Sequence, residues 1–423
     1  MSNSEMMARR RRLLGPNVRL FYDDPVHLVR GAGTWVWDAG GRRYLDAYNN
    51  VPHVGHCHPV VLEAITRQAG LLNTHTRYLH DGILDYVERL IALLPDTVTC
   101  AAMVCTGSEA NDLALRMAQA ATGKRGIIAT NHTYHGNTAA VSQLSTTSPP
   151  VGGFAGHIRH VPAPDSYRPM GGAEHSVQFA QAVEAACQSL ISEGHGVSAM
   201  ILCPFFVNEG FPDLPPGFLD PALTVLRRHG GLLIADEVQP GFGRIGSHFW
   251  GYQRAAVVPD IVTMGKPMGN GHPVAALATS DDIMSAFRAH HGYFNTFGGN
   301  PVSCAAAMAV LDVIEGEGLQ AKAAQTGAVL TAGLAALAQR HDCIGDIRGS
   351  GLAIAAEIVS DRGAKTPDKA TCARIVNAMR QGGVLMGSNG IHANVLKIRP
   401  PMAFGPAEAE HLLGVLDGVL SGF

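Results

Sequence analysis

Apolar runs of strand length alternate with stretches of helical spacing through the middle of the chain. The apolar runs predict strands at residues 101–105, 126–130, 199–206, 231–235 and 261–264. Apolar positions at helical spacing predict helices at residues 83–94, 109–121, 177–193 and 221–229. Such alternation is typical of a mainly parallel sheet that helices cover on both faces. We therefore expect an α/β fold with one large sheet domain.

The two ends of the chain follow other patterns. Residues 33–46 alternate apolar and polar positions about an Ala-Gly-Gly turn, which predicts a β-hairpin, whereas the proline and glycine of residues 149–172 predict an irregular segment. Further helices are predicted at 60–72, 302–315, 319–340 and 406–420, and short strands near 344–357 and 395–399. We predict three segments: an arm and part of a small domain at 1–57, a large domain at 58–310, and the rest of the small α+β domain at 311–423.

Composition and charge exclude several classes of protein. Of the 423 residues, 46% are apolar and 16% are charged, which excludes a largely disordered chain. The net charge of −3 gives no reason to expect nucleic-acid binding. No apolar run reaches the roughly 18 residues of a membrane-spanning helix. The eight cysteines are scattered without CxxC pairs, which indicates a reducing compartment and predicts a cytoplasmic protein.

Polar groups follow the predicted strands, where open α/β sheets bind their ligands. Gly107 and Ser108 open the helix after the first strand, and the free N–H groups of such a turn form an anion site, most often for phosphate. Ser108 as an ordinary helix N-cap is the alternative. Tyr134 and His135 follow the second strand, where an aromatic ring either stacks on a planar ligand or serves packing alone.

A carboxylate and an amine follow two later strands. Asp236 ends an apolar strand and needs a buried cation, such as a protonated ring nitrogen; a helix N-cap or a salt bridge to Arg244 are the alternatives. Lys266 follows the next strand, where desolvation lowers the pKa of an amine and makes it nucleophilic; a solvated loop lysine is the alternative. A phosphate site, a stacking ring, a deep carboxylate and a reactive amine together match pyridoxal 5′-phosphate (PLP).

The order and spacing of these motifs resemble the class III aminotransferase family of fold type I PLP enzymes. The resemblance rests on residues 55–59 (GHCHP), 107–111 (GSEAN), 134–136 (YHG), 236–244 (DEVQPGFGR), Lys266 and 297–301 (FGGNP). It implies that Lys266 forms a Schiff base with PLP and later moves the substrate proton. It also implies that Asp236 pairs with the pyridine nitrogen and that Gln239 hydrogen-bonds the ring 3-hydroxyl.

The same resemblance assigns the remaining cofactor contacts. Tyr134 stacks on the ring with His135 beside it, and Gly107 and Ser108 hold the cofactor phosphate. Thr296 reaches that phosphate from a neighbouring subunit, which implies a homodimer with shared active sites. The family keeps its Gly-His-x-His-Pro motif without a metal, so we predict no metal site at the histidines of residues 53–58.

Four stretches resemble, more narrowly, the phospho-lyases of this class that act on ethanolamine phosphate. These are residues 48–56, 72–81, 262–273 and 395–402. Arg77, Lys397 and Arg399 lie in or at these stretches and are candidate cations for a substrate phosphate, although domain-packing ion pairs are the alternative for each. Asn50, in the first stretch, is a further substrate-binding candidate.

The chain departs from the aminotransferase pattern at the substrate carboxylate switch. Many relatives have an arginine at the position of Lys397 and a glutamate at that of Asn208, while Cys203 replaces the glutamate of a Glu-Pro-x-Gln stretch. A shift of the alignment by one residue would instead bring Glu209 into the switch.

These departures weaken the case for an aminotransferase that alternates between two substrates, although the lyases generally keep the glutamate that Cys203 replaces. We expect elimination of phosphate from a small O-phosphorylated amine, with O-phosphoethanolamine giving acetaldehyde, ammonia and phosphate. The alternatives are a class III ω-aminotransferase, which needs a keto acid, and a non-catalytic cofactor-binding protein, against which the intact Lys266, Asp236 and Gln239 argue.

Overall fold

The computed structural model describes residues 3–16 and 18–423. The α-helices of this part are α1 Asn3–Leu14, α2 Pro59–Ala69, α3 Asp81–Ile91, α4 Gly107–Thr122, α5 His175–Ser192, α6 Asp220–Arg228, α7 Gly251–Arg254, α8 Asp281–His290, α9 Pro301–Gly316, α10 Leu319–Ala338, α11 Lys369–Gln381 and α12 Pro406–Leu420. Its strands are β1 Leu28–Ala32, β2 Trp35–Asp38, β3 Arg43–Asp46, β4 Cys100–Val104, β5 Gly126–Thr130, β6 Ile158–Val161, β7 Val197–Leu202, β8 Leu232–Asp236, β9 Ile261–Met264, β10 Ala275–Thr279, β11 Ile344–Ser350, β12 Ala353–Asp361, β13 Thr366–Pro367, β14 Val384–Leu385, β15 Gly387–Asn389 and β16 Val395–Ile398.

The large sheet has the strand order β4-β10-β9-β8-β7-β5-β6. All neighbours pair in parallel except β10, which is antiparallel to both β4 and β9. Strands β5, β7, β8, β9 and β10 are buried almost throughout, as expected for a sheet with helices on both faces. The predicted fold class, a mainly parallel α/β sheet domain, is confirmed.

Three local predictions for this sheet were wrong. Residues 149–172, predicted to be irregular, contain strand β6. The two apolar residues of β6 are separated by Arg159 and His160, so the strand has no apolar run in the sequence. Strand β10 was missed because alanine, which forms most of it, has little β-propensity. The strand predicted at 199–206 ends at Leu202, since Pro204 has no N–H for a sheet hydrogen bond.

Both ends of the chain build the smaller α+β part. Strand β3 pairs with β2 as the predicted hairpin and, on its other side, pairs in parallel with β14 from the C-terminal segment. A second sheet has the order β11-β12-β16-β15, and α10 packs on α12 beside it. The segment limits at 57/58 and 310/311 stay predictions; helix α9 runs through the second of them.

The sheet topology brings the ends of four strands to one edge. Strands β5, β8 and β9 end there, and β4 joins them because two antiparallel pairings return it to the direction of β9. Helix α4 begins directly after β4, with Thr106 as its N-cap in a capping box with Glu109. Ser108 is therefore not the N-cap, and the first-turn N–H groups of α4 face this edge.

Asp46, at the end of β3, stabilises the turn at Tyr48 and Asn49. Substitution of Asp46 should therefore destabilise the fold. Its buried carboxylate accepts hydrogen bonds from His56 Nε2 at 2.7 Å and from the N–H groups of Tyr48 and Asn49 at 3.0 and 2.9 Å. Asp46→Asn should lower the free energy of unfolding at pH 7 by about 2 kcal/mol, because charge-assisted bonds are lost. Urea denaturation measures this, with the exposed Asp96→Asn as control, expected within about 0.5 kcal/mol of wild type.

The same contacts determine how the stability contributed by Asp46 changes with pH. Burial opposes the charge of Asp46, but the hydrogen bonds from His56 and Asn49 prevail and lower its pKa below the ordinary 3.8. The stabilisation is therefore present at pH 7 and is lost as the pH falls through the lowered pKa of the folded state. Equal stability of Asp46→Asn and wild type at pH 7 would contradict this account.

Candidate active site

A cavity of about 320 Å³ opens at the edge where the four strands end. Seven residues predicted to bind a cofactor line it: Gly107, Ser108, Tyr134, His135, Asp236, Gln239 and Lys266. Cys203 and Asn208, the altered switch positions, line it as well. Residues that are far apart in the sequence thus share one wall because each follows a strand of the same sheet.

The carboxylate of Asp236 is fixed by three donors. Its Oδ2 accepts from Asn111 Nδ2 at 3.0 Å and lies 2.6 Å from His135 Nδ1, while its Oδ1 accepts from the N–H of Val238 at 3.0 Å. Arg244, the alternative partner, instead donates to the carbonyl groups of Leu352 and Pro400. The carboxylate is thus oriented toward the cavity, and the salt bridge to Arg244 does not form.

Asn111 is a site residue to which the sequence reasoning gave no role. Its Nδ2 donates to the carbonyl of His135 at 2.7 Å, and its Oδ1 accepts from Thr263 Oγ1 at 2.6 Å. It therefore ties helix α4 to strand β9 and to Asp236. Its place at the end of the 107–111 motif was the available signal, but an asparagine in a helix carries no sign of its partners.

Lys266 lies in the cavity wall two residues after β9. Burial and the nearby Arg399 lower the pKa of its amine, while Asp236 acts in the opposite direction. A larger neutral fraction makes the amine a better nucleophile and base. This environment does not fit the alternative of a solvated loop lysine.

Glycines and the first turn of α4 form a cradle at one end of the cavity. A Cβ on Gly107 would lie 2.9 Å from Val238 Cγ2, and one on Gly136 would lie 2.6 Å from Ser108 Oγ. Gly136 also has a φ of 142°, which side chains disfavour. The close packing leaves backbone N–H groups at a helix N-terminus open to an anion, which fits the phosphate of PLP.

Two buried cations lie behind Gln239. Gln239 Oε1 accepts hydrogen bonds from Arg399 Nη1 and, at 3.5 Å, from Lys397 Nζ. Gln239 Nε2 donates to Asn208 Oδ1 at 3.2 Å, and Arg399 also donates to the carbonyl of Tyr48. Within the described ranges Arg399 Nε lacks a partner. Both side chains are thus hydrogen-bonded to neutral oxygens, and the contact of Gln239 with the ring 3-hydroxyl stays a prediction.

The remaining predicted residues lie outside this cavity. Arg77 is exposed, and its guanidinium carbon lies 3.9 Å from the centre of the Phe294 ring. Thr296, two residues after Phe294, is exposed as well. Asn50 is buried, and its Nδ2 has no partner in the described part of the chain. Arg77 and Thr296 thus lie on the surface of the chain, whereas Asn50 is buried next to Val51, which lines the cavity.

The histidines of the 53–58 segment have protein partners. His53 contacts the carbonyl of Phe242, His56 contacts Asp46 and His58 contacts Glu317. Residues 3–16 and 18–423 contain no group of three or more potential metal-binding side chains. In the same ranges no helix is both long and apolar enough to cross a membrane.

The fold, the fixed carboxylate, the amine and the phosphate cradle define a fold type I PLP enzyme. The model of the class III aminotransferases matches residues 22–420. The chain therefore belongs to the class III aminotransferase family, and its cofactor is PLP.

Individual relatives carry two kinds of name. An alanine–glyoxylate aminotransferase 2-like protein of Drosophila melanogaster is 42% identical, over 98% of this chain and 86% of its own length. An ethanolamine-phosphate phospho-lyase homolog of Caenorhabditis elegans is 37% identical, over 99% of this chain and 94% of its own length. The solved structure of an Arthrobacter phospholyase in complex with phosphoethanolamine has a TM-score of 0.95 and 42% identity, over 99% of this chain and 100% of that one.

Proposed function

We propose that this enzyme is a phospho-lyase that eliminates phosphate from a small O-phosphorylated amine, with O-phosphoethanolamine as the first substrate to test. The observation that carries the proposal is the buried pair Lys397 and Arg399, whose hydrogen bonds go to the neutral oxygens of Gln239 and Tyr48 and leave a bound anion as the missing direct partner. Buried charges are costly unless an opposite charge pairs with them. A phosphate dianion at the cavity would supply that charge, and the phosphoethanolamine bound to the Arthrobacter relative supports this choice.

The residues of the cavity divide the work of the reaction. PLP, when bound, accepts the electron pair left on the carbon that loses its proton. In the proposal, Lys266 would hold the cofactor and would take the proton from the amine-bearing carbon of the substrate. Asp236 would keep the ring nitrogen protonated, and the backbone of Gly107 and Ser108 would hold the cofactor phosphate. Tyr134, in the cavity wall, would stack on the ring.

The balance of the elimination follows from these roles. The proton leaves the amine-bearing carbon for Lys266 Nζ, and the C–O bond on the adjacent carbon breaks with its electron pair going to phosphate. Lys397 and Arg399 stabilise the charge of the leaving phosphate. The two-carbon fragment then reacts with water to give acetaldehyde and ammonia.

An ω-aminotransferase is the second candidate, because several similar proteins are named aminotransferases. The neutral Asn208 beside Gln239 argues against it, since a dual-substrate enzyme needs a carboxylate to neutralise the cations when an uncharged side chain binds. Cys203, whose pKa is raised by burial and by Asp236, is neutral and does not replace that carboxylate.

The deciding experiment omits the keto acid. The purified, PLP-loaded enzyme is mixed with O-phosphoethanolamine alone, and inorganic phosphate and acetaldehyde are followed together. Equal, catalytic release of both is the expected result. Absence of phosphate, together with amine-dependent formation of alanine when pyruvate is added, would replace the lyase by the aminotransferase.

We also propose a cytoplasmic homodimer in which a partner completes each site. Support comes from the exposed apolar residues that accompany Arg77 and Thr296, namely Tyr78, Leu79, Phe294 and Phe297. Contiguous exposed apolar surface marks interaction sites. The cytoplasmic location is proposed from the scattered spacing of the eight cysteines, which is typical of a reducing compartment.

Removal of the Lys397 charge should impair phosphorylated substrates selectively. Burial and the neighbouring Arg399 and Lys266 lower the pKa of Lys397 well below its usual range, so a bound dianion would restore its proton and gain a charge-assisted bond. Lys397→Met should reduce kcat/KM for O-phosphoethanolamine about 10- to 150-fold, the value of a hydrogen bond between charged groups.

The measurement needs a matched control and an independent readout. The exposed Lys369→Met should keep wild-type kinetics. Competitive inhibition by inorganic phosphate should weaken in parallel in Lys397→Met, because the same cation binds it. Unchanged inhibition and unchanged kcat/KM in Lys397→Met would remove Lys397 from the phosphate site.

A further inference from the structure

The loop of residues 203–211 follows strand β7 and carries Asn208 into the wall of the active-site cavity. Two of its residues, Phe206 and Phe211, have φ values of 47° and 55°. Residues other than glycine adopt this left-handed conformation only where the surrounding structure holds them. The position of Asn208 therefore depends on contacts that lie outside the loop.

The smaller α+β part of the protein holds three backbone carbonyl groups of this loop. The contacts run from Arg348 Nε to Gly210 at 2.7 Å, from the N–H of Gly390 to Asn208 at 3.2 Å, and from Asn389 Nδ2 to Val207. Arg348, in β11, supplies the charged donor among them. These contacts bracket Asn208 on both sides along the chain.

Two carboxylates fix the guanidinium group of Arg348. Its Nη1 lies 2.8 Å from Asp346 Oδ2 and its Nη2 lies 2.6 Å from Glu357 Oε2, whose other oxygen pairs with Arg168 at 2.6 Å. Arg348 and Glu357 are buried, so solvent screens these charges little. Because the guanidinium group is planar and rigid, the two ion pairs also fix the direction of Nε, which donates to the loop.

The apolar side chains of the loop pack toward the same part of the protein. They belong to a small buried cluster, which consists of Cys203, Phe205, Val207, Phe211, Ile245, Ala353, Ala355 and Val395. Ala353 and Ala355 lie in β12, and Val395 lies in β16. The loop thus continues a strand of the large sheet but is packed against the smaller part.

Asn208 connects this loop to the polar groups of the cavity. Its Nδ2 donates to the carbonyl of Tyr134 at 3.3 Å, and its Oδ1 accepts from Gln239 Nε2 at 3.2 Å. With Nε2 engaged in this way, the Oε1 of Gln239 is the atom that accepts from Lys397 and Arg399. The orientation of the Gln239 amide, and with it the contact to both cations, thus depends on where Asn208 lies.

We propose that Arg348 is a positioning residue that, through the backbone of this loop, holds Asn208 against Gln239. Arg348 lies outside the cavity lining and acts on the substrate side of the site from the smaller part of the protein. The inference rests on the proposed function only in the choice of the substrate for kinetic measurements.

Cys203, at the start of the loop, reports whether the loop is held. Its thiol is buried, and burial raises its pKa well above the ordinary 9.0, so alkylation by iodoacetamide at pH 8 requires the loop to open. In PLP-loaded Arg348→Met, peptide mass spectrometry should show Cys203 reacting about 10- to 150-fold faster, the equivalent of one hydrogen bond from a charged donor. In the same protein the exposed Cys57 should react readily, and the buried Cys304 and Cys372 should stay as protected as in wild type.

Two further variants isolate the contact with the loop. Asn389→Ala removes an uncharged donor to the loop and leaves the ion pairs of Arg348 intact, so it should also accelerate labelling of Cys203 even if Arg348→Met does not fold. Arg168→Met removes the other cation from Glu357 but leaves Arg348 at the loop, so Cys203 should stay protected.

Kinetics distinguish positioning of Asn208 from a purely structural role. The substrate is O-phosphoethanolamine alone or an ω-amine with pyruvate, whichever the enzyme turns over. Arg348→Met and Asn208→Ala should each raise KM about fivefold and leave kcat within about twofold of wild type. Arg348→Met should add nothing to KM in the Asn208→Ala background, because it acts through that side chain.

The outcomes decide the proposal. Unchanged labelling of Cys203 in both Arg348→Met and Asn389→Ala would overturn it, as would faster labelling of Cys304 and Cys372 together with Cys203. Faster labelling with an unchanged KM, or KM effects that multiply in the double variant, would overturn it as well. The labelling involves no substrate, so failure of the lyase assay leaves it unaffected and the two proposals fail separately.

Discussion

Lys266→Ala is expected to reduce phosphate release from O-phosphoethanolamine by at least about 10⁴-fold, the upper range of what a general base contributes. The variant loses the amine that anchors the cofactor and also the base that removes the substrate proton. Both roles depend on an amine whose pKa is lowered by burial and by Arg399. Phosphate release in a continuous assay measures the effect, with the exposed Lys322→Ala as a control that should match wild type.

A second buried amine, that of Lys397, is an alternative attachment point for the cofactor. Lys397 also has a lowered pKa and lies behind the same cavity wall. Reduction of the loaded enzyme with borohydride, followed by peptide mapping, identifies the lysine that is bonded to the cofactor. The label is expected on Lys266. A label on Lys397, or a Lys266→Ala enzyme with more than about 1% of wild-type activity, would contradict the assignment.

Asp236→Asn is expected to lower kcat by about 10²- to 10³-fold, the usual effect of removing one oriented electrostatic contact from a catalytic site. The amide keeps the shape of the side chain but cannot hold a proton on the ring nitrogen, so the cofactor becomes a weaker electron acceptor. The cofactor should still load, because Lys266 and the cradle of Gly107 are intact. Initial rates at saturating substrate, with cofactor content measured by absorbance, separate these two effects.

A surface substitution provides the control for Asp236. Asp282→Asn, in the exposed first turn of α8, removes one carboxylate elsewhere and should leave kcat unchanged. A kcat of Asp236→Asn within about threefold of wild type would show that Asp236 does not pair with the ring nitrogen. That result would leave the fold and the cofactor class unaffected.

The fold was predictable where local pattern and burial agree. Apolar runs bounded by polar residues predicted strands β5, β8 and β9, and helical spacing predicted α4. Each element was predicted within a few residues of its observed limits. Strands β6 and β10 were missed, because charged residues inside one and alanine in the other hide their place in the sheet. Pairing with neighbours, not propensity, makes these segments strands.

The same distinction separates the site residues that could be predicted from those that could not. Lys266, Asp236, Gly107 and Ser108 could be predicted because each directly follows a strand, and the ends of parallel strands must meet at one edge. Asn111, which orients Asp236, and the buried Glu209, which accepts from Thr130, could not be assigned roles. Their function depends on side-chain partners up to 152 residues away in sequence.

The sequence by itself determined the fold class, the cofactor and the polar residues that follow β4, β5, β8 and β9, because hydrophobic periodicity and motif spacing are properties of the chain. Only the tertiary structure decided which charges are paired. It placed Lys397 and Arg399 together behind Gln239, with hydrogen bonds to neutral oxygens, and it gave Oε1 of the buried Glu209 a hydrogen bond from Thr130. Such pairings depend on burial and on hydrogen-bond geometry between distant segments, which no spacing along the chain encodes.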